Sequence, residues 1–274
     1  MYNIRLYDYP NGAQLRLYSN PVVEPDDGFK IEKKVKKTFI ENPFENRMQW
    51  LEVLENKERT ESDRQRSIHS SVARTVNNIY MISRSNSWDW FVTLTFNPEK
   101  VDSFDYDKCV KKLSKWLQNC KRLCPDMKYL VVPEKHKSGR YHFHGLFADC
   151  DALQFTDSGR KVGNDVIYNI GKYRLGFTTA TRVKDNERVT KYICKYVTKE
   201  LAESTPNKKR YWVSKNITRI ESQDTFISPE KMDLLKQRLA PYMKHAKFCE
   251  SDVQSVMYLE ISDDIDWSEI LNDD

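Results

Sequence analysis

Tyr129-Leu130-Val131-Val132-Pro133-Glu134, a polar turn from Lys135 to Arg140, and Tyr141-His142-Phe143-His144-Gly145-Leu146-Phe147 form the stretch whose reading decides the fold. Two apolar runs joined by a short turn containing Gly139 make a β-hairpin. Successive side chains on a strand point to opposite faces. His142 and His144 therefore share one face, and Phe143 points into the core. Glu134 ends the first strand and His142 begins the second, so the two are neighbours across the ladder. Two imidazoles and a carboxylate then stand together, a set that suits Mn²⁺ or Mg²⁺ with positions left for phosphate oxygens or water. His136, in the turn, is a weaker candidate. The competing reading is a pair of packed, hydrogen-bonded histidines. For a lone histidine that reading wins; for two beside a glutamate, the metal does.

Outward from the hairpin, the chain alternates strands and helices. Upstream, Trp88-Asp89-Trp90-Phe91-Val92-Thr93-Leu94-Thr95-Phe96 alternates threonine with bulky apolar residues and reads as a strand ended by Asn97-Pro98. Residues 104–123 carry a helical stripe of Phe104, Val110, Leu113, Trp116 and Leu117. Downstream, residues 166–183 hold short strands around Gly171 and Gly176. Residues 185–202 read as one helix, and Lys209 to Val213 as a strand. Residues 229–245 read as a helix with Ser228 as N-cap, Pro229 at its first position and Pro241 kinking or ending it. The expected class is α+β: a central antiparallel sheet of about five strands with helices on one face.

Residues 1–87 precede this core. Leu6 to Tyr18 read as a hairpin around Asn11-Gly12. Residues 20–46 read as a polar connection containing Lys33-Lys34-Val35-Lys36-Lys37. Residues 47–84 read as a helix carrying Arg64, Arg66, Arg74 and Arg84. These arginines, with Trp88 and Lys191, are candidate DNA contacts; a solvated helix face is the plain alternative. The core spans 88–215, a C-terminal helix 216–249 and an acidic tail 250–274.

The 274 residues are 39% hydrophobic and 31% charged, with mean hydropathy −0.74. No apolar run approaches the ~20 residues needed to span a bilayer. The start, Met1-Tyr2-Asn3-Ile4-Arg5, has no signal-peptide apolar region, so a soluble, cytoplasmic protein is expected. The net charge of +5 hides an asymmetry. Residues 250–274 hold nine acidic groups and no Lys or Arg, which leaves 45 basic against 31 acidic residues before them. Such a body attracts a polyanion such as DNA. The tail reads as a docking or masking segment, or as a plain solubility device. Cys109, Cys120, Cys124, Cys150, Cys194 and Cys249 form no CxxC. Cys120 and Cys124, one turn apart, read as buried thiols rather than zinc ligands.

Lys191-Tyr192-Ile193-Cys194-Lys195-Tyr196-Val197-Thr198-Lys199-Glu200 carries the second chemical element. On one helix, Tyr192 and Tyr196 share a face at i and i+4, and Lys195 and Lys199 share the adjacent one. Ile193 and Val197 anchor the helix to the sheet. A tyrosine hydroxyl, with a pKa of ~10, becomes a competent nucleophile beside ammonium groups or at a polarised phosphate. Taken alone, the helix reads better as an amphipathic element with half-buried tyrosines.

The three segments in this order resemble the HUH endonucleases that initiate rolling-circle replication. Phe91 to Phe96 is similar to the family's first, apolar strand. His142-Phe143-His144 matches its His-hydrophobic-His motif, and Tyr192 to Lys199 its tyrosine helix. Two tyrosines, each starting a Tyr-x-x-Lys, are most similar to the initiators of small single-stranded DNA phages. The resemblance covers residues 88–215 and implies a ferredoxin-like or RNA-recognition-like sheet. It implies metal coordination by His142, His144 and Glu134, attack by Tyr192, Tyr196 or both, and phosphate or metal positioning by Lys195 and Lys199. The implied reaction nicks single-stranded DNA at an origin, often a hairpin. It leaves a 5′-phosphotyrosine and a 3′-hydroxyl primer, and later rejoins the strand. Transposases and relaxases with the same site are close alternatives. A non-catalytic single-strand-binding module using Trp88, Trp90 and the tyrosines as stacking platforms is a third reading. No G-x-x-x-x-G-K-[ST] motif is present, so unwinding is expected from a host helicase, and extension of the primer from a host DNA polymerase.

Overall fold

In a computed structural model of the chain, residues 1–23, 35–42, 47–54, 60–250, 254–265, 267 and 270 are described. The strands are β1 (Tyr2–Tyr9), β2 (Gly12–Val22), β3 (Val35–Asn42), β4 (Arg47–Leu54), β5 (Trp90–Phe96), β6 (Lys128–Lys135), β7 (Tyr141–Ala148), β8 (Phe155–Val162), β9 (Asp165–Ile170), β10 (Gly176–Arg182), β11 (Trp212–Val213), β12 (Gln223–Thr225), β13 (Met243–Cys249) and β14 (Val256–Ile261). The helices are α1 (Glu61–Arg84), α2 (Tyr106–Leu123), α3 (Asn186–Cys194), α4 (Lys199–Ser204) and α5 (Pro229–Leu239). Among the described residues the strands form three sheets with antiparallel pairing throughout. A seven-stranded sheet runs β11-β6-β7-β5-β10-β9-β8, a five-stranded sheet β12-β1-β2-β14-β13, and β3 pairs with β4.

The expected α+β class holds, with two more strands in the central sheet than expected and helices on both of its faces. Trp90, Val92, Leu94, Val131, Phe143 and Phe147 turn one face toward α2, where Cys109, Leu113, Trp116, Leu117 and Cys120 complete a buried cluster. Leu130, Val132, Leu146 and Ala148 turn the other face toward α1 and α3, packing against Ile79, Ile82 and Ile193. Phe104 does not belong to the α2 stripe. It precedes the helix and is exposed, because Asp105 is the N-cap, accepting from the Lys108 amide at 3.0 Å.

The N-terminal helix is shorter than its sequence suggests. Arg47–Leu54 is strand, paired with Val35–Asn42 in register from Val35↔Leu54 to Asn42↔Arg47. The helix begins at Glu61, where Thr60 and Asp63 form a reciprocal capping box. Four buried thiols, Cys109, Cys120, Cys124 and Cys150, are free, as expected. Burial pushes the Cys120 thiol up to about 12, which keeps it protonated and unreactive.

The largest departure lies at the two chain ends. Residues 229–245 are not one helix. Pro241 removes an amide donor, α5 stops at Leu239, and β13 follows. The acidic tail contains β14, a central strand that pairs with β2 on one side and β13 on the other. Leu259 and Ile261 bury against Leu15, Leu17 and the Met232, Leu235 and Leu239 face of α5. Gly12 permits the join: its φ is +112°, and a Cβ there would stand 2.4 Å from the Ile261 carbonyl. The opposite face of this sheet is polar and meets α1. Glu260 accepts from Gln14 and Tyr80, each at 2.7 Å, and Arg16 donates to Asn77 at 2.7 Å. Helix α1 is thus a shared layer between the two sheets. Among the described residues no helix is long and apolar enough to cross a membrane.

This placement makes the tail structural. A chain ending at Ser255 loses the burial of Leu259 and Ile261, worth roughly 1.5–3 kcal/mol each, and leaves Leu15 and Leu17 bare. Its denaturant midpoint should fall sharply, whereas Asp263→Asn with Asp264→Asn should leave it within error. An unchanged midpoint in the truncated chain would return the segment to a solubility role.

Candidate active site

The helices cover only part of the sheet face that carries the histidines. Along β7 the residues on that face run Ala148, Leu146, His144, His142. The first two are packed under α1 and α3, and His142 lies toward the open end. Along β6 the order is Leu130, Val132, Glu134, and along β5 it is Phe91, Thr93, Thr95. Polar groups collect where the helix layer stops.

Register fixes their pairing. Glu134 stands opposite His142 across the ladder, as expected, but its carboxylate reaches diagonally to His144, with Oε2 2.7 Å from Nε2. His144 is buried; His142 is half-buried. Each ring is held at Nδ1 from the neighbouring strand: Thr93 Oγ1 lies 3.1 Å from His144 Nδ1, and Thr95 Oγ1 3.1 Å from His142 Nδ1. The hydrogen bond from His144 holds the Glu134 carboxyl below the usual carboxylate range. Burial, reinforced by His136, pushes the His142 imidazole down, so it is neutral at pH 7. His136 is exposed in the turn, its ring centroid 5.4 Å from that of His142.

The tyrosine segment is broken, not continuous. Asp185 caps α3 through the Glu187 and Arg188 amides. The helix ends at Cys194, and Thr198 caps α4 by accepting from the Leu201 amide at 3.1 Å. Ile193 and Val197 both bury against the sheet. Tyr196 thereby leaves the helix and lays its ring flat on His144, with centroids 3.6 Å apart and planes 12° apart. Tyr192 stays on α3, 46% exposed, its ring edge-on to Tyr196 at 5.5 Å and to Phe91 at 5.2 Å. Burial, then the adjoining Tyr192, hold the Tyr196 phenol above the ordinary tyrosine range.

Tyr196 therefore meets His144, Tyr192 meets Tyr196, and Phe91 packs against His144 and both tyrosines. The lysines separate. The Lys195 ammonium lies 5.7 Å from the Tyr192 ring centre, whereas Lys199 opens α4 and pairs with Glu203 at 3.8 Å. The two do not share a helix face.

The donor set fits a divalent cation by type. Its second layer of contacts fits too, since each imidazole is oriented by a threonine at its far nitrogen. What is not preformed is three-way convergence: among the described residues no group of three His, Cys, Asp or Glu is placed to hold a metal ion, and Glu134 instead closes on His144. A cation binding there takes the place of the proton in that hydrogen bond.

Two expected DNA contacts are corrected. Arg84 is buried, lying between Glu187 at 4.0 Å and Glu260 at 3.9 Å with its guanidinium 5.1 Å from the Tyr9 ring. Trp88 is 4% exposed and donates to the Ser83 carbonyl; Trp90 is 2% exposed. Neither tryptophan can stack on a base, which takes two of the platforms from the non-catalytic binding reading and leaves it the tyrosines, of which Tyr192 is exposed. Arg64, Arg66, Arg74 and Lys191 are exposed. Arg66 pairs with Asp63 at 2.9 Å and Lys191 with Glu187 at 2.7 Å.

A groove of about 860 Å³ opens at Tyr192, lined by Phe91, Thr181, Lys184, Arg188 and Lys195 among others. Its walls carry five basic side chains against three acidic ones. Sequence reasoning does not single out Lys184, Arg188, Thr93 or Thr95, and it assigns Phe91 no role at the site. The alternating threonines of β5 are the available signal, unreadable without the register that sets Thr93 against His144.

In metal-free protein the His142 ring should titrate below its ordinary value of 6.5. His136→Asn should raise its midpoint, and Glu134→Gln should lower it. Because the unfolded chain takes up this proton first, folding stability should decline as pH falls from 6.5 toward the folded midpoint. Glu134 acts in the same sense below its ordinary 4.5. Histidine ring resonances followed by NMR across a pH series check both; a His142 midpoint at or above 6.5 contradicts the placement.

No curated protein and no solved structure matches the chain. Residues 89–201, from the start of β5 into α4, match the family model for the replication-associated protein ORF2. The matched span contains Glu134, the histidine pair and both tyrosines, and it supports a Rep-like protein of replication initiation.

Proposed function

We propose that this protein initiates replication by nicking single-stranded DNA at an origin and rejoining it through a phosphotyrosine intermediate. The observation that carries the reading is the stacking of Tyr196 on His144 at 3.6 Å, because it brings the tyrosine segment onto the strand that bears the donor set. His142, His144 and Glu134 would hold Mn²⁺ or Mg²⁺, which supplies Lewis-acid polarisation of a phosphate.

The chain's own residues account for the rest. A tyrosine oxygen attacks phosphorus, the new phosphorus–oxygen bond forms to tyrosine, and the bond to the 3′-oxygen breaks. The phenolic proton is lost to solvent, and the departing oxygen gains one to become a 3′-hydroxyl. Bond energy is conserved, so a 3′-hydroxyl can reverse the step. Lys195 sits beside Tyr192 to meet the phosphate charge. The groove between β10 and α3 leads a strand to Tyr192. Tyr192 is exposed at its end and is the nucleophile for the incoming strand; Tyr196, covered and stacked, takes the second transfer. Unwinding and extension fall to a host helicase and polymerase.

With a labelled single-stranded origin oligonucleotide and Mn²⁺, a covalent protein–DNA adduct should form and disappear on chelation. Tyr192→Phe should remove most of it, Tyr196→Phe should leave first cleavage largely in place but block rejoining, and the double change should remove it entirely. His142→Ala and His144→Ala should abolish cleavage by at least ~100-fold, on the scale of losing metal function, while binding persists. Adduct formation by the double tyrosine variant at the wild-type level would sink the assignment.

A further inference from the structure

A second basic recess lies on the other side of the histidine pair. It is a cleft of about 310 Å³ between the first half of α1 and the connection from α4 to β11, lined by Arg64, Ser67, Ser71, Glu203, Asn207 and Arg210 among others. Arg210 donates from Nη1 to Ser71 Oγ at 2.8 Å. Its Nε–H is buried without an acceptor among the described residues. A buried donor on a cation, left unmatched, is unfavourable, and an anion accepting from it would relieve this.

Neither guanidinium of the cleft is spent on a carboxylate. Many exposed cations of the chain have a carboxylate partner: Arg66 has Asp63, Lys108 has Asp102, Lys184 has Asp165, Lys191 has Glu187 and Lys208 has Asp107. Arg64 and Arg210 have none among the described residues. The carboxylate in the lining, Glu203, faces Lys199. Two unpaired guanidiniums with hydroxyl and amide donors between them match the tetrahedral oxygens of a phosphodiester.

Topology places the cleft. Trp212 pairs with Val131 and Val213 with Leu130, so Arg210 lies toward the Pro133–Glu134 end of β6, at the β11 edge of the sheet. The groove at Tyr192 lies at β10. The strand order β11-β6-β7-β5-β10 puts β7, with both histidines, midway between them. The separation is about 19 Å, four inter-strand spacings.

We propose that this cleft binds a backbone phosphate of a single nucleic-acid strand, so that the strand is held on both sides of the histidine pair. The proposal rests on the reading that the site works on single-stranded DNA. The full-length protein, with metal chelated, should be titrated with a fluorescent oligothymidylate longer than the ~16 nucleotides that a single-strand module covers, across a salt series. Arg64→Gln and Arg210→Gln should each weaken binding several-fold and reduce the slope of log affinity against log salt by about 0.7, one phosphate's worth on a single strand. Lys111→Gln, exposed on α2 across the sheet, should do neither. Arg64 is exposed and lies outside the buried clusters, so its variant tests the cleft even where Arg210→Gln unfolds the chain, which a thermal melt reports. Wild-type slopes in Arg64→Gln, an equal loss in Lys111→Gln, or no binding at all would overturn the cleft. Because cleavage is not needed, a protein that nicks yet keeps its slope refutes only the cleft; one that loses slope yet never nicks refutes only the nickase.

Discussion

The structure depends on the side-chain alternation of β7, locked by burial on one face. Phe143 and Phe147 have no exposed surface, and they pack with Trp90, Val131 and the inner face of α2. A one-residue slip against β5 or β6 would move both phenylalanines to the half-open face and both histidines into an apolar core. Register is therefore enforced by the hydrophobic side and used by the polar side. Gly145 belongs to the same lock: a Cβ there would lie 2.4 Å from the Phe147 ring and 3.1 Å from Val131. The glycine that follows the histidines makes room for the phenylalanine that pins their strand.

A second constraint couples the chain ends to the tyrosines. Arg84, at the end of α1, is buried between Glu260 of β14 and Glu187 of α3. Ser83, its neighbour, shares a 2.6 Å hydrogen bond with Thr190. Thr190 and Glu187 lie on the helix that carries Tyr192. Removing one partner from a buried charge group costs several kcal/mol because the others are left uncompensated. The five-stranded sheet thus fixes α1, and α1 fixes the tyrosine helix over the open end of the histidine-bearing sheet.

Legibility in the sequence follows burial pattern. β5, β6 and β7 carry dense apolar and β-branched runs, and α2 a sustained helical stripe, so each is readable near its true place. β8 escapes because Thr156-Asp157-Ser158-Gly159-Arg160-Lys161 is a solvent-facing edge strand with no apolar face to announce it. β14 is hidden inside an acidic segment. Leu259 and Ile261 face its core, and Glu260 between them is held through Oε1 by partners more than 170 residues away in sequence. Arg84 looks like one more surface arginine on a basic helix. Its burial follows from carboxylates on α3 and β14, which no local pattern could supply. Glu134, His142 and His144 are legible because a hairpin is local; Thr93 and Thr95 are not, because their contact crosses to a strand some 50 residues earlier.

The break after Cys194 carries the most chemical consequence of the differences. On a continuous helix, Tyr192 and Tyr196 would project from one face as near-equivalents. Thr198 instead starts a new helix with its own side chain, and Val197 turns inward to the apolar cluster beside Ile193. The chain between them must tighten, and Tyr196 swings onto His144. One tyrosine is then held over His144 with its phenol pushed above the ordinary tyrosine range by its cover; the other remains exposed beside Lys195 at the mouth of a basic groove. Two identical side chains four residues apart thereby acquire different surroundings, and the ordered pair of transfers proposed for them needs just such a difference.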